Sequence, residues 1–110
     1  MTKGAMGESL AADYLVRSGY GIVARNYRTR WGEVDIVAAR GDDLAFVEVK
    51  CWDTLGRESL GQSIDARKKQ KIRRTADSFL SDRPELRERH VRFDVIFIQE
   101  GSLEHLEGAF

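Results

Sequence analysis

The sequence predicts one α/β domain whose elements follow the order α-β-β-β-α-β. Two apolar stripes with helical spacing alternate with short runs of period two, and Gly- or Pro-containing segments separate them. The 110 residues are enough to bury one core but leave no room for a second, so residues 1–110 are expected to form a single domain. Hydrophobic residues make up 42% and charged residues 33%, which is typical of a folded globular chain.

The first half of the chain predicts a helix followed by three strands. The helix is expected at residues 4–17, because Leu10, Tyr14 and Leu15 form an apolar stripe and Gly19 offers a C-terminal stop. The strands are expected at residues 21–28, 33–39 and 44–51.

The second half predicts a loop, a basic helix and a further strand. The loop is expected at residues 52–62, the helix at 63–80 and the strand at 91–98. The core-facing stripe of the helix consists of Ile72, Ala76, Phe79 and Leu80. Two interpretations of residues 102–110 remain open, a further strand and a docking tail.

Charged residues alternate inside the second and third predicted strands. Glu33 and Asp35 share one face of the first of these strands, and Glu48 and Lys50 share one face of the next. If Gly41-Asp42 is a two-residue hairpin loop, Asp35 lies opposite Glu48 and Glu33 opposite Lys50. A three-residue loop would turn Asp35 and Glu48 to opposite faces, and a four-residue loop would place Asp35 opposite Lys50.

Two interpretations of these charges stand side by side. Two opposed carboxylates repel each other, so a divalent cation such as Mg²⁺ is the natural companion of such a pair. Alternatively, the charges form the solvated face of an amphipathic hairpin whose core face is Val34, Ile36, Val47 and Val49.

Charge is balanced overall but uneven along the chain. The 18 basic and 18 acidic residues give a formal net charge of zero, which argues against a highly basic DNA-coating protein. Six of the eight residues 67–74 are nevertheless Lys or Arg. Such a helix either lets phosphates approach an acidic site or forms a solvated surface balanced by nearby acids.

Composition also bears on location. No apolar run has the length of a transmembrane helix, and the N-terminus lacks the apolar segment of a signal peptide, so no membrane partner is expected. The single cysteine, Cys51, rules out an intramolecular disulfide and fits a reducing cytoplasm. Cys51 is expected on the sheet face opposite Lys50, as a small buried hydrophobe.

Several of these motifs resemble a known superfamily. Asp35 followed by Glu48-Val49-Lys50 on the next strand resembles the signature of the PD-(D/E)XK nucleases, which include restriction endonucleases and Holliday-junction resolvases. Within that superfamily the chain is similar to a small uncharacterised bacterial family called YraN-like. The shared segments are Gly7-Glu8, Arg25-Asn26-Tyr27, Gly32-Glu33-Val34-Asp35, Phe46 to Lys50, Arg67-Lys68, Arg92-Phe93-Asp94-Val95 and the final His105 to Phe110.

The resemblance implies a restriction-endonuclease-like core, a mixed sheet flanked by helices, and a Mg²⁺- or Mn²⁺-dependent endonuclease acting on DNA, including branched or junction structures. Asp35 and Glu48 would hold the metal, with the backbone carbonyl of Val49 as a third ligand. Lys50 would orient the attacking water and stabilise developing charge. Glu8 matches the helix-borne acid that completes the site, although an acid near a helix N-terminus is also favoured by the helix dipole.

Four residues are expected to contact substrate: Gln62, Arg67, Lys68 and Trp52. Trp52 departs from the family, which commonly has a basic residue there, and Tyr27, Trp31 and Trp52 are candidates for stacking on unpaired bases. Glu33 is expected close to the site without being a ligand, paired with Lys50 or an arginine. His90 and His105 are expected to be structural or surface residues. Relatives also imply a homodimer, and the competing function is a non-catalytic nucleic-acid-binding or assembly module.

Overall fold

A computed structural model describes residues 3–51, 65–99 and 101–110, with side chains described from residue 6 onward. The elements in these ranges are α1 (Lys3–Arg17), β1 (Gly21–Thr29), β2 (Gly32–Arg40), β3 (Asp43–Cys51), α2 (Ala66–Ser81), a short 3₁₀ helix (Pro84–Leu86), β4 (His90–Gln99) and β5 (Ser102–Leu106). The predicted order α-β-β-β-α-β is therefore confirmed, with β5 added after it.

The five strands form one mixed sheet in the order β1-β2-β3-β4-β5. Only β3 and β4 run parallel, and the chain between them contains α2; the three other pairs are antiparallel. This mixed sheet flanked by helices is consistent with the expected restriction-endonuclease-like arrangement. Neither described helix is long and apolar enough to span a bilayer.

Each helix covers one face of the sheet. On one face, Ala11 and Leu15 of α1 pack against Ile36 and Val47. On the other face α2 packs through Ile72, Ala76 and Phe79 against Val34, Val37, Leu44 and Phe46. Because β2 and β3 lie in the centre of the sheet, side chains at their ends can be reached from both helices.

The β2–β3 hairpin has the register of a two-residue loop. Gly41 has a left-handed φ of 58°, and the pairs run from Arg40 opposite Asp43 to Ile36 opposite Val47. The prediction for a two-residue loop is thus confirmed as far as Ile36. The ladder ends there, so neither of the predicted oppositions, Asp35 with Glu48 and Glu33 with Lys50, is part of it.

The end of the chain combines both interpretations that the sequence left open. Residues Ser102–Leu106 pair with β4 as β5. Beyond them, the Ala109 N–H donates to the Phe93 carbonyl at 2.7 Å, and the Phe110 ring stacks on Phe93 at 5.4 Å. The segment is therefore a strand followed by a docked tail.

The start of α2 differs from the prediction. Asp65 has an extended backbone and caps the helix, because its carboxylate accepts the Lys68 N–H at 2.8 Å. The helix therefore begins at Ala66, and the expectation that residue 65 is already helical was wrong. Residues 63 and 64 lie outside the described residues.

Candidate active site

The site lies where β2 separates from β3. One step beyond the last ladder pair, the Asp35 carboxylate accepts the backbone N–H of Val49 at 2.8 Å. A side-chain oxygen therefore replaces the backbone carbonyl that a continued ladder would supply. The bond holds Asp35 against the end of β3, next to Glu48.

Both β2 and its neighbour β1 are irregular at the level of Asp35. Val34 belongs to the α2 face and Ile36 to the α1 face, although residues two apart in a regular strand share a face. On β1, Asn26 lies across from Asp35, between the pairs Arg25–Ile36 and Tyr27–Val34. Asn26 has a left-handed φ of 51°, which asparagine tolerates better than most residues. This break contradicts the alternative in which Val34 and Ile36 share one core face.

Asp35 and Glu48 form a buried carboxyl pair. Their relative exposures are 7% and 8%, and a hydrogen bond joins them. Burial, and then the charge of Asp35, raises the pKa of Glu48 to about 8, although Lys68 opposes the rise. Burial also raises the pKa of Asp35, and the Val49 N–H partly offsets that rise. The pair therefore shares a proton at neutral pH, and its burial contradicts the interpretation as a solvated hairpin face.

Two lysines lie beside the carboxyl pair. Lys50 follows Glu48 by two residues on β3 and is only 3% exposed. Lys68 comes from the first turn of α2, and its Nζ lies 3.8 Å from Glu48 Oε1. The Asp65 cap fixes this first turn, so the cap also places Lys68.

A third carboxyl group comes from α1. Burial raises the pKa of Glu8, and the nearby charge of Asp35 raises it further. The charge of Arg25 and a hydrogen bond from the Asn26 side chain oppose that rise. Glu8 Oε1 is buried and has no hydrogen-bond partner among the described residues.

Gly7 allows α1 to approach β3 closely enough to deliver Glu8. A β-carbon at Gly7 would overlap Cys51 Sγ, so a larger residue would push the helix and the strand apart. Cys51 thus lies beneath α1, on the predicted side of the strand. It is half-buried rather than buried, which corrects the expectation from sequence.

The carboxyl groups and lysines line an open cleft of about 670 Å³. Its walls are formed by Glu8, Gly32, Glu33, Asp35, Glu48, Val49, Lys50, Cys51, Asp65, Arg67, Lys68, Lys71 and Ile72. Seven of the nine predicted site residues line this cleft, and the remaining two, Trp52 and Gln62, lie outside the described residues. No group of three His, Cys, Asp or Glu side chains in the described part of the chain is arranged to hold a metal ion.

Other residues singled out from the sequence lie around the cleft or away from it. Glu33 forms an ion pair with Arg28, which is the arginine alternative of its predicted partners. Tyr27 packs edge-on against Phe79 at 5.1 Å, so its ring belongs to the core. Trp31 is 39% exposed.

The histidines have the structural or surface positions expected of them. His90 is exposed and lies 3.1 Å from Asp43. His105 Nε2 lies 2.7 Å from the fully buried Asp94, and its Nδ1 lies 3.0 Å from the Tyr14 hydroxyl. Because both ring nitrogens of His105 are engaged, this cluster is structural.

Sequence reasoning missed Asn26, Asp65 and Lys71 as site residues. The sequence could have indicated an irregular strand at Asn26, since asparagine is depleted inside strands. It could likewise have indicated Asp65 as a capping residue before a helix. Lys71 could not be distinguished from the other basic residues of α2, because its direction depends on how the helix packs.

Comparisons with known proteins agree with one another. The model of the uncharacterised protein family UPF0102 matches residues 7–98. A UPF0102 protein of Rhodococcus jostii is 46% identical over 112 residues, which cover 97% of this chain and 94% of the relative. UPF0102 proteins of Persephonella marina and Thermodesulfovibrio yellowstonii are 40% and 41% identical, and the alignments cover 98% and 97% of this chain and 92% and 94% of the relatives.

Proposed function

The chain belongs to the uncharacterised protein family UPF0102, and we propose that it is a metal-dependent endonuclease of the PD-(D/E)XK type. Its substrate is DNA, including branched or junction structures, in which it hydrolyses phosphodiester bonds. The observation that supports this proposal is the buried Asp35–Glu48 pair with Lys50 beside it, in a cleft bordered by the basic start of α2.

The donor set fits a hard divalent cation. Mg²⁺ keeps several waters and needs only one or two carboxylates, so Asp35, Glu48 and the Val49 carbonyl are sufficient protein ligands. Two buried carboxyls that share a proton are suited to exchange it for a cation, since the cation removes their mutual repulsion. Bound Mg²⁺ or Mn²⁺ would lower the pKa of a water molecule and neutralise charge on the phosphoryl oxygens.

The residues of the chain have distinct parts in this proposal. Glu48 would release the shared proton to solvent and, with Asp35, would hold the cation. Lys50 orients the attacking water and stabilises charge that develops on the phosphoryl group, an effect that its burial strengthens. Lys68 and Arg67 bind phosphate at the mouth of the cleft. Glu8, with its free carboxyl oxygen, accepts a proton from a water that approaches from the α1 side.

The test begins with calorimetric titration of Mg²⁺ and Mn²⁺ into the wild type, Asp35→Asn and Glu48→Gln. Glu85→Gln is a matched control, because Glu85 is an exposed acid on the short 3₁₀ helix. We expect binding in the wild type and in the control, and a loss of at least tenfold in affinity in the two site variants. Cleavage of a panel of duplex, flapped and four-way-junction DNA is then measured with and without metal.

Three outcomes separate the candidate functions. Metal binding that the site variants lose, together with metal-dependent cutting, supports the nuclease. Metal binding without cutting of any substrate favours the non-catalytic module. Equal or absent metal binding in all four proteins overturns the shared carboxyl site.

A further inference from the structure

A line of basic side chains leads from the cleft along α2. Arg67, Lys71 and Arg74 follow one another at helical spacings of four and three residues, so they lie on one face of the helix. All three are exposed, and the first two line the cleft. At 1.5 Å per residue, the line from Arg67 to Arg74 covers about 10 Å along the helix axis.

The turn between β1 and β2 extends this line. A β-carbon at Gly32 would lie 3.4 Å from the Lys71 side chain, and the hydroxyls of Thr29 and Thr75 are 3.4 Å apart. The turn is therefore packed against α2. This packing brings Arg30 and Trp31 to the far end of the line.

Trp31 holds two of these cations in place. The guanidinium carbons of Arg30 and Arg74 lie 4.6 Å and 4.8 Å from the centroid of its ring. Stacking on an indole ring orders a guanidinium group while leaving its N–H donors at the edge, where they can bind phosphate oxygens. We call Arg30, Trp31, Arg67, Lys71 and Arg74 the basic strip.

Among the residues that the structure describes, no acid neutralises the charge of the basic strip. Within the described ranges, no carboxylate lies within ion-pair distance of Arg30, Arg67, Lys71 or Arg74. The neighbouring acid Glu33 is already paired with Arg28. Four cations without a carboxylate partner in the described ranges, over so short a surface, would concentrate counterions that a polyanion can release.

We propose that the basic strip binds the sugar-phosphate backbone of a nucleic-acid strand as it leaves the cleft. The inference rests on the proposed function for the identity of that strand, which is the one flanking the cut. Phosphate contacts position a nucleic acid without reading its sequence. The basic strip is therefore expected to fix the position of the strand relative to the carboxyl pair, whatever the base sequence of the strand.

The helix offers a matched control for this proposal. Lys69 and Arg73 are also basic residues of α2, but they lie over the rings of Phe110 and Phe93, away from the strip. Arg30→Ala/Arg74→Ala and Lys69→Ala/Arg73→Ala each remove two positive charges, together with two cation–aromatic contacts in the first pair and three in the second. They differ in which surface loses the charge.

The experiment measures binding of a fluorescein-labelled 30-base-pair duplex and of its single strand, in EDTA, at several salt concentrations. The Arg30/Arg74 variant is expected to lower the magnitude of the slope of log K against log salt by about 1.8 for duplex, or about 1.4 for single strand. The Lys69/Arg73 variant should change it by less than half as much. Arg30→Lys/Arg74→Lys, which keeps the charge, should retain most of the slope.

The basic strip would be overturned if the salt slope fell equally in both alanine pairs or did not fall in the Arg30/Arg74 pair. It would also be overturned if the wild type did not bind the nucleic acid. Manganese titration of the same variants shows whether the carboxyl site is intact. Binding that depends on the strip without any cleavage would leave the strip valid and contradict the nuclease. Cleavage that is unchanged in the Arg30/Arg74 variant would support the nuclease and contradict the basic strip.

Discussion

The close approach of α1 to β3 at Gly7 predicts a strong coupling between Gly7 and Cys51. In the Gly7→Ala variant, the new methyl group overlaps Cys51 Sγ. In a Cys51→Ala background, the nearest atom at position 51 is the β-carbon, 3.8 Å away, which is ordinary van der Waals contact. The same substitution is therefore crowded in one background and accommodated in the other.

The expected free energies of unfolding follow from these two situations. Alanine is favoured over glycine in a helix by about 1 kcal/mol, so Gly7→Ala should stabilise the Cys51→Ala protein by about that amount. In the wild type, overpacking costs about 1–3 kcal/mol and offsets or exceeds this gain. The coupling between the two substitutions should thus be about 1–3 kcal/mol.

Urea denaturation of the wild type, the two single variants and the double variant measures this coupling as a double-mutant cycle. Leu10→Ala provides a control, because Leu10 lies on α1 and is 52% exposed. It should add independently to Cys51→Ala. A coupling below about 0.5 kcal/mol between Gly7 and Cys51 would refute the described contact, since independent sites add within that range.

Three further predictions concern the site and the second buried charge cluster. Asn26→Gly keeps the left-handed backbone but removes the amide that is hydrogen-bonded to Glu8. The rate of DNA cleavage should therefore fall strongly when Asn26→Gly is made in the wild type and much less when it is made in Glu8→Gln. Equal losses of rate in both backgrounds would contradict a role of Asn26 through Glu8. Because the pKa of Glu48 is raised to about 8 in the folded protein, the metal-free wild type should lose stability as pH rises from about 4.5 to 8, whereas Glu48→Gln should not. Thermal melts in EDTA measure this difference, and identical pH profiles of the two proteins would disprove the shared proton. Burial alone would raise the pKa of Asp94, but hydrogen bonds from His105, Arg92 and the Gly108 N–H lower it to about 2. The stabilisation that ionised Asp94 contributes is therefore present above the unfolded pKa and is lost as pH falls through about 2. Asp94→Asn should lower the free energy of unfolding, measured in urea at pH 7, by about 3–5 kcal/mol, and a loss below about 1 kcal/mol would be inconsistent with this cluster.

Local rules were sufficient for much of the fold. The Gly41-Asp42 turn determines the hairpin register as far as Ile36 and Val47, and Asp35 and Glu48 are the next residues on the two strands, so their proximity could be predicted from residues 35–48. The period of the apolar residues likewise predicted both helices and the first four strands. These features depend on contacts between residues close in sequence.

Other features depend on how distant elements pack. The face change at Asp35 could not be predicted, because a strand pattern assumes that alternation continues. The approach of Glu8 depends on the contact between Gly7 and Cys51, which are far apart in sequence. The line from Arg67 to Trp31 depends on packing of the β1–β2 turn against α2.

The single parallel strand pair has a consequence for how the protein folds. The β2–β3 hairpin can form from residues close together in the chain, but the pairing of Asp43 with His90 closes a loop of roughly 50 residues. Hairpin formation should therefore precede docking of β4 on a nascent or refolding chain. Until α2 and β4 have both packed on the hairpin, Asp35 and Glu48 are still hydrated, and before α2 packs they also lack the nearby ammonium group of Lys68. Metal affinity should consequently develop late in refolding, after the first β-structure signal, and the lag between the two is measurable by stopped-flow spectroscopy.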